Sequence, residues 1–338
     1  MKTNRWLAGI AIAAAGALAL AGCAGSAAGN DGDSDAGGKK VLHIGINQLL
    51  QHPALDAATE GFKKAFFDAG YVDGETVKFD EQNANGEQAT AVTIANKFAG
   101  QKLDLVLAVA TPAAQATAQA ISDMPVVFTA VTDPEAAGIV DSWEKPGANV
   151  TGVSDLNPVA EQIGLVREMI PAAKTVGVAY SSGEVNSSVQ VKIAKEAAAK
   201  LGLTIKEATI SNPSELGQAV ASLGNVDAIW VPTDNGVGSA IEVVVQYAEK
   251  NKIPMFVADA TQVESGGVMT VGLDYSQIGY QTGQMALDIL ENGKDPATMP
   301  VEMPKADAPP LTINLGAAKR MGLEIPQSFI DKADKVIE

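Results

Sequence analysis

From residue 41 onwards, short runs of β-branched residues alternate with longer amphipathic stretches, and this alternation constrains the fold more than any other feature. Strands that alternate with helices of about 10 to 17 residues are typical of βαβ units, in which helices cover both faces of a parallel sheet. The alternation occurs twice, with about five strands each time. Because 338 residues exceed the usual size of a single core, the pattern predicts two doubly wound α/β lobes.

The predicted strands are residues 41–47, 76–82, 103–110, 125–131 and 149–154 in the first half, and 175–181, 204–210, 227–232, 254–258 and 268–273 in the second. The predicted helices are residues 53–69, 86–101, 112–121 and 134–142, followed by 186–201, 214–223, 235–251 and 275–291.

Three segments without clear periodicity, residues 151–158, 272–276 and 300–311, are expected to cross between the lobes. With three crossings each lobe is discontinuous, and the last long helix is expected to pack back on the first lobe. The predicted division is residues 41–154 with 275–300 for lobe 1, and residues 155–274 with 301–338 for lobe 2.

The first 22 residues read as a secretory signal peptide. Lys2 and Arg5 provide the basic start, and residues 7–20 form an unbroken run of apolar residues and glycine. This run of about 14 residues fits a signal segment and is short for a membrane-spanning helix, which needs about 20.

Cys23 is the only cysteine of the chain, and it ends the motif Leu20-Ala21-Gly22-Cys23. This motif resembles a bacterial lipobox, in which the cysteine becomes lipid-modified and N-terminal after cleavage. The alternative is an ordinary secretory signal with an incidental cysteine. Residues 24–40 are rich in glycine, serine and aspartate, so residues 23–40 are predicted to be a lipidated cysteine and a flexible tether. The expected location is the extracytoplasmic face of the cell membrane.

Composition excludes several classes of function. A formal charge of −16 argues against nucleic-acid binding, which needs a basic face. A single cysteine excludes an internal disulfide and a cysteine-based zinc site. The two histidines, His43 and His52, leave little material for a catalytic triad, and the motifs of hydrolases, zinc proteases and nucleotide-binding proteins are missing from the sequence. We therefore expect a non-enzyme without catalytic residues, cofactor or metal.

Polar residues gather directly after the predicted strands, where open parallel sheets bind their ligands. The candidates from the first half are Asn47, Gln48, His52, Thr111, Pro112, Thr132, Asp133 and Ser154. Those from the second half are Glu184, Asn186, Ser187, Asp234, Asn235, Asp274 and Tyr275. If the two lobes face each other, these residues line one cleft.

Each candidate also has an interpretation without a ligand. Thr111 with Pro112 and Asp133 before a proline are pairs that begin helices by capping them. Asp234 could likewise cap the next helix, and Asp274 could hold a crossing between lobes. The prediction of a ligand site therefore depends on the cluster and not on any one member.

The chain resembles bacterial ABC-transporter solute-binding lipoproteins, in particular the tryptophan/tyrosine-type substrate-binding family. The stretches that carry the resemblance are residues 46–48, 52–56, 110–115, 125–134, 149–155, 183–187, 232–235, 272–275 and 313–314. The resemblance implies a type I periplasmic-binding-protein-like fold and capture of a small solute by hinge closure. It also implies delivery to an ABC permease in the membrane, with aromatic amino acids as the leading ligand class.

An amino acid needs a carboxylate for its ammonium, and Asp234 is the first candidate, followed by Asp274 and Glu184. Its carboxylate needs donors, but neither Arg167 nor Arg320, which lies near the C-terminus, is an obvious clamp in the cleft, so hydroxyl and N–H groups are expected to serve. Binding of a sugar or another small metabolite, or a role as an extracytoplasmic sensor, remains an alternative. The expected partners are the small ligand, the permease and the lipid at Cys23, with no nucleic acid and a monomeric protein.

Overall fold

The structure is a computed structural model that describes residues 40–305 and 309–338. The predicted signal peptide, the lipobox with Cys23 and nearly all of the tether lie outside the described residues. Within those two ranges, no helix is both long and apolar enough to cross a bilayer.

Lobe 1 is built on five parallel strands. They are β1 (Leu42–Gln48), β2 (Val77–Asn83), β3 (Leu105–Val109), β4 (Val126–Val131) and β5 (Val150–Ser154), in the order β2-β1-β3-β4-β5. Every residue of β3, β4 and β5 is buried, as expected for strands with helices on both faces. The covering helices from this part of the chain are α1 (Pro53–Asp68), α2 (Gln88–Ala99) and α3 (Thr111–Ala120).

Lobe 2 repeats this plan with four parallel strands and a small second sheet. The strands β6 (Thr175–Ser181), β7 (Thr204–Ile210), β8 (Ala228–Val231) and β9 (Met255–Val257) have the order β7-β6-β8-β9. The strands β10 (Met269–Val271), β11 (Leu311–Asn314) and β12 (Lys335–Ile337) form the small sheet, in which β10 and β11 are antiparallel.

The helices of lobe 2 are α4 (Val159–Met169), α5 (Val185–Lys200), α6 (Leu216–Ser222), α7 (Asn235–Ser239), α8 (Ile241–Asn251), α9 (Ala260–Glu264), α11 (Leu315–Met321) and α12 (Gln327–Ile330). Short 3₁₀ helices span Pro213–Glu215 and Pro296–Thr298. Trp230 lies in the core of this lobe, and its Nε1 donates to Gln162 at 3.2 Å.

Helix α10 (Tyr275–Asn292) packs on α1 of lobe 1. The two helices come so close that a Cβ on Gly279 would lie 1.8 Å from the backbone oxygen of Ala58. A Cβ on Gly61 would lie 2.1 Å from the backbone oxygen of Ser276. This glycine-dependent contact holds α1 in place at the side of the lobe that meets lobe 2.

The three crossings are joined by hydrogen bonds. Leu273 in the second crossing donates its N–H to Oδ1 of Asn157 in the first, at 3.2 Å. In the third crossing, Glu302 exchanges backbone hydrogen bonds with Gly152 and Ser154 of β5, at 3.0 and 2.8 Å. The contacts of lobe 1 therefore extend along the chain to Glu302.

The prediction of a helix over residues 134–142 is wrong, because the chain forms turns there. Asp133 accepts the N–H of Ala136 at 3.0 Å, which starts a turn, but Gly138 adopts a φ of 67° and stops it from propagating. The predicted helix over residues 235–251 is also wrong as a single element, because Ala240 at φ −128° separates α7 from α8.

Candidate functional site

A cavity of about 20 Å³ lies between the lobes, at the carboxyl ends of the strands. Lobe 1 contributes His52, Pro53, Ala54, Leu55, Ala130 and Thr132 to its lining. Lobe 2 contributes Asn186, Thr233, Asp234, Asn235, Gly238, Ile241, Asp259, Thr261, Gln262 and Ser265, while Asp155 and Tyr275 come from the crossings. A water molecule fits in this volume, but an amino acid does not.

The first turn of α1 presents backbone groups to the cavity. Pro53 occupies the first helical position, and the side chain of His52 makes no capping hydrogen bond. The N–H groups of Ala54 and Leu55 therefore have no acceptor within the helix or its cap. Both residues line the cavity.

His52 makes a contact between the lobes. Its Nε2 lies 3.4 Å from Oδ1 of Asn235, the first residue of α7. Burial lowers the pKa of His52, although the charges of nearby Asp259, Asp56 and Asp234 act in the opposite direction. The imidazole is therefore neutral at pH 7, and Nε2–H can donate to the amide oxygen.

Asp155 lies at the end of β5, where the chain first leaves lobe 1. It accepts hydrogen bonds from the hydroxyl of Thr132 at 2.9 Å and from the phenol of Tyr275 at 2.5 Å. Burial raises the pKa of Asp155. Burial, together with the neighbouring charges of Asp155 and Asp259, raises the pKa of Tyr275 well above its usual value, so the phenol stays protonated and donates.

Asp259 follows β9 and caps α9. Its close hydrogen bonds come from the hydroxyl of Thr261 at 2.6 Å and the N–H of Gln262 at 3.0 Å, and both reach Oδ1. Burial raises the pKa of Asp259 as well, and the hydrogen bonds from Thr261 and Gln262 reduce this shift. Asp259 therefore has fewer donors than a buried carboxylate needs for full compensation.

The carboxylate of Asp234 accepts more close hydrogen bonds than that of Asp155 or Asp259. Ser181 donates both its N–H and its hydroxyl, at 2.6 and 2.8 Å. Ser187 donates its hydroxyl at 2.6 Å, and Val237 donates its N–H at 2.8 Å. Asp234 therefore caps α7 and ties it to β6 and α5, and four donors occupy its two oxygens.

Glu184 lies behind the second-lobe side of the cavity. It accepts the amide hydrogens of Asn186 and Asn235, at 3.0 and 2.5 Å, and the N–H of Gly236 at 3.2 Å. Burial and the charge of Asp234 raise the pKa of Glu184 to about 7. Near neutral pH this carboxyl group is therefore protonated in part of the molecules.

The structure brings six of the predicted site residues into the cavity lining: His52, Thr132, Asn186, Asp234, Asn235 and Tyr275. The other nine lie outside this lining: Asn47, Gln48, Thr111, Pro112, Asp133, Ser154, Glu184, Ser187 and Asp274. Pro112 and Glu184 line a second, larger groove between the lobes, of about 330 Å³, which shares Asn235 with the cavity.

Several of these nine residues have partners within the protein instead. Asn47 donates to the backbone oxygen of Ala91 and to Thr117, between α2 and α3. Asp274 is exposed and caps α10 through the N–H groups that follow it.

Asp155, Thr233 and Asp259 line the cavity but were not among the predicted site residues. They lie one or two residues after the ends of β5, β8 and β9, so their position at strand ends was a signal that could have found them. Across residues 40–305 and 309–338, no group of three or more His, Cys, Asp or Glu side chains is arranged to hold a metal ion.

The chain matches the family model described as "ABC transporter substrate binding protein" over residues 43–337. The chain belongs to this family. Membership confirms the resemblance found in the sequence and implies a place on the extracytoplasmic side of the membrane.

Three similar proteins make the relationship more specific. A "Tyrosine-binding protein" of Clostridioides difficile (strain R20291) is 42% identical over 305 residues, which are 89% of this chain and 88% of that protein. A Streptococcus pneumoniae ABC domain solved in complex with L-Trp is 37% identical, with a TM-score of 0.84 over 88% of this chain and 100% of that one. A ligand-free, open substrate-binding protein of Clostridium difficile is 43% identical, with a TM-score of 0.66 over 88% and 99%. These neighbours and the two parallel sheets confirm the predicted fold class of type I periplasmic binding proteins.

Proposed function

We propose that this ABC transporter substrate-binding protein captures an amino acid, most readily an aromatic one, in the cavity between its lobes. The observation that carries the proposal is that polar groups of both lobes meet at this cavity in a chain 42% identical to a tyrosine-binding protein. The neighbour in complex with L-Trp supports the same ligand class.

The two solved neighbours support closure of the lobes as the mechanism. The open, ligand-free neighbour is more similar in sequence than the L-Trp complex, yet it superposes less well. Sequence divergence alone would rank them the other way round, so the difference lies in the arrangement of the lobes. We infer that the structure of this chain represents a closed arrangement.

The small volume of the cavity has a mechanistic consequence. Because about 20 Å³ cannot hold an amino acid, the lobes separate for a ligand to enter and, when they close on it, remain further apart than they are here. The hinge consists of the three crossings, which divide the chain into residues 41–154 with 275–302 and residues 155–274 with 303–338. The third boundary lies two residues later than the sequence predicted, because Glu302 still bonds to β5. Ligand contacts made by both lobes then favour the closed state, because only such differential contacts shift the equilibrium.

The anchor completes the proposal. Cleavage before Cys23 and lipid attachment to its thiol hold the protein at the membrane, and residues 24–40 connect it to the folded lobes. More than one acyl chain is needed for stable anchoring. Mass spectrometry of the protein purified from membranes tests this: an unmodified Cys23, or a chain that begins elsewhere, contradicts the anchor.

Ligand binding is tested with residues 23–338 carrying Cys23→Ser, which removes the lipid and leaves the lobes intact. The twenty amino acids are screened by thermal shift, followed by calorimetry on those that stabilise. We expect L-Tyr, L-Trp or L-Phe to raise Tm in a saturable 1:1 manner, because a ligand that binds only the native state stabilises it. No shift with any amino acid contradicts the proposed ligand class, and sugars are screened next.

A further inference from the structure

The lining of the cavity carries acidic side chains without lysine or arginine to match them. Asp155, Asp234 and Asp259 line it, each at most 3% exposed, and no lysine or arginine is among the lining residues. A buried carboxylate is costly unless donors or a cation compensate it. Asp234 has four close hydrogen bonds, whereas Asp155 has two, from hydroxyls, and Asp259 has two, both on Oδ1.

Asn186 adds an acceptor without a donor. Its Nδ2 donates to Glu184 and to the backbone oxygen of Thr233, both at 3.0 Å, and these two bonds fix the orientation of the amide. Its Oδ1 is buried without a hydrogen-bond partner, although the residue lines the cavity. At the cavity, a buried acceptor of this kind is open to a donor from a ligand.

Donors are scarce on the same surface. The hydroxyl hydrogens of Thr132 and Tyr275 are engaged by Asp155, and that of Thr261 by Asp259. The N–H groups of Ala54 and Leu55 remain, at the N-terminus of α1, where the helix dipole favours an anion. The free acceptors thus lie on lobe 2 and at a crossing, whereas these free donors lie on lobe 1.

We propose that the cavity binds its amino acid in one orientation, with the ammonium on Asp259, Asn186 and Asp155 and the carboxylate on the N–H groups of Ala54 and Leu55. This inference rests on the proposed function and makes it more specific. The ammonium is held by lobe 2 and a crossing, and the carboxylate is held by lobe 1. A ligand with both groups therefore connects the two lobes, and a ligand with only one does not close them.

Analogues that lack one charged group test this orientation on the unaltered cavity. Residues 23–338 with Cys23→Ser are titrated with L-Trp, tryptamine and 3-indolepropionate, and with the corresponding L-Tyr series. Calorimetry gives the affinity, and small-angle X-ray scattering gives the radius of gyration, which falls on closure.

We expect the amino acid to bind and to lower the radius of gyration. The amine is expected to bind roughly 10- to 100-fold more weakly, without closure. The acid is expected to lose at least about 100-fold, because it adds a negative charge to an acidic cavity and brings no ammonium for Asp155 and Asp259. An acid that binds better than the amine, or an amine that closes the lobes as the amino acid does, overturns the orientation but leaves amino-acid capture intact. If no amino acid binds, both proposals fail.

A pair of matched variants tests Asp259 itself. Asp259→Asn keeps the cap of α9, because the amide oxygen still accepts the N–H of Gln262, but it removes the charge. Asp295→Asn makes the same change at an exposed cap, that of the 3₁₀ helix Pro296–Thr298. We expect a loss of at least about 30-fold in amino-acid affinity for the first and less than twofold for the second. Equal affinities of Asp259→Asn and the parent protein contradict the assignment, and the analogue series decides if the variant does not fold.

Discussion

The two sides of the cavity are built in different ways. The lobe 1 side consists largely of the first turn of α1, with Pro53, Ala54 and Leu55, and of Ala130. The lobe 2 side consists of amides, hydroxyls and carboxylates that bind one another, with Asp234 as the most heavily bonded member. The difference indicates that lobe 1 provides shape and backbone groups, whereas lobe 2 provides charge and a preformed hydrogen-bond network. Substitutions on the two sides should therefore differ in their effects on stability and ligand binding.

The largest expected effect comes from removing the centre of the lobe 2 network. Asp234→Ala leaves four donors on Ser181, Ser187 and Val237 without their acceptor in a buried site. We expect the free energy of unfolding to fall by about 4 kcal/mol, measured by urea denaturation. Asp234→Asn, which keeps one acceptor oxygen, should lose less. A loss below about 1 kcal/mol for the alanine variant would show that the network is not the support of this side.

In lobe 1, the corresponding sensitive position is the close contact between α1 and α10, which leaves no room for an added side chain. Gly279→Ala places a methyl group against the backbone of Ala58, which cannot rotate away, so α1 and α10 must separate. We expect a loss of about 2 to 3 kcal/mol in the free energy of unfolding, with weaker ligand binding because the first turn of α1 moves.

The control for this variant is Gly164→Ala in α4, where nothing lies within 4 Å of the added Cβ. Alanine in a helix interior is favoured over glycine, so this change should stabilise the protein by roughly 0.5 to 1 kcal/mol. If both variants behave alike, close helix packing does not define the lobe 1 side.

The third test uses the pH dependence of the lobe 2 side. Burial and Asp234 raise the pKa of Glu184 to about 7, above its ordinary value of 4.5, so the native state holds a proton that the unfolded state has lost. Stability from this group is therefore complete below pH 4.5 and is lost as the pH rises towards 7. We expect the Tm of the parent protein to fall more steeply between pH 4.5 and 7 than that of Glu184→Gln, which cannot ionise. Parallel curves for the two proteins would contradict this role.

The smallest effect concerns the contact that joins the two sides. The hydrogen bond from His52 to Asn235 is long, at 3.4 Å, so His52→Ala should change the free energy of unfolding by less than about 1 kcal/mol and weaken ligand binding only a few-fold. His43→Ala, on β1 and outside the cavity lining, is the control and should leave the affinity unchanged. A loss of 100-fold or more for His52→Ala would mean that the lobe 1 side also provides essential chemistry.

Many helices and strands were predictable, because hydrophobic periodicity and residue type determine secondary structure within a short stretch of chain. The strands β6 and β7 begin and end at the predicted residues, since β-branched residues recurring in a short run favour a strand. The helix expected over residues 134–142 failed because one glycine in a left-handed conformation ended the turn that Asp133 began. The strand β11 was missed, because its four residues have little periodicity and become a strand only by pairing with β10.

The location of the site was predictable from the sequence, but the hydrogen bonds of its side chains were not. Asp155, Asp234 and Asp259 all lie within three residues of the end of a strand, so position along the chain does not distinguish them. What separates them is the number of donors that reach each carboxylate, and most of those donors come from distant parts of the chain. Ser181 and Ser187 lie about fifty residues from Asp234, and Tyr275 lies 120 residues from Asp155.

The alternation of strands and helices in the amino-acid sequence was enough to establish two α/β lobes and to locate a ligand site at their strand ends. Only the tertiary structure decided which carboxylate at those ends receives four close hydrogen bonds and which receive fewer. The physical reason is that the cost of a buried charge depends on every donor around it. The packing of β6, α5 and α10 around the cavity brings many of those donors to the carboxylates, and residues close along the chain provide fewer of them.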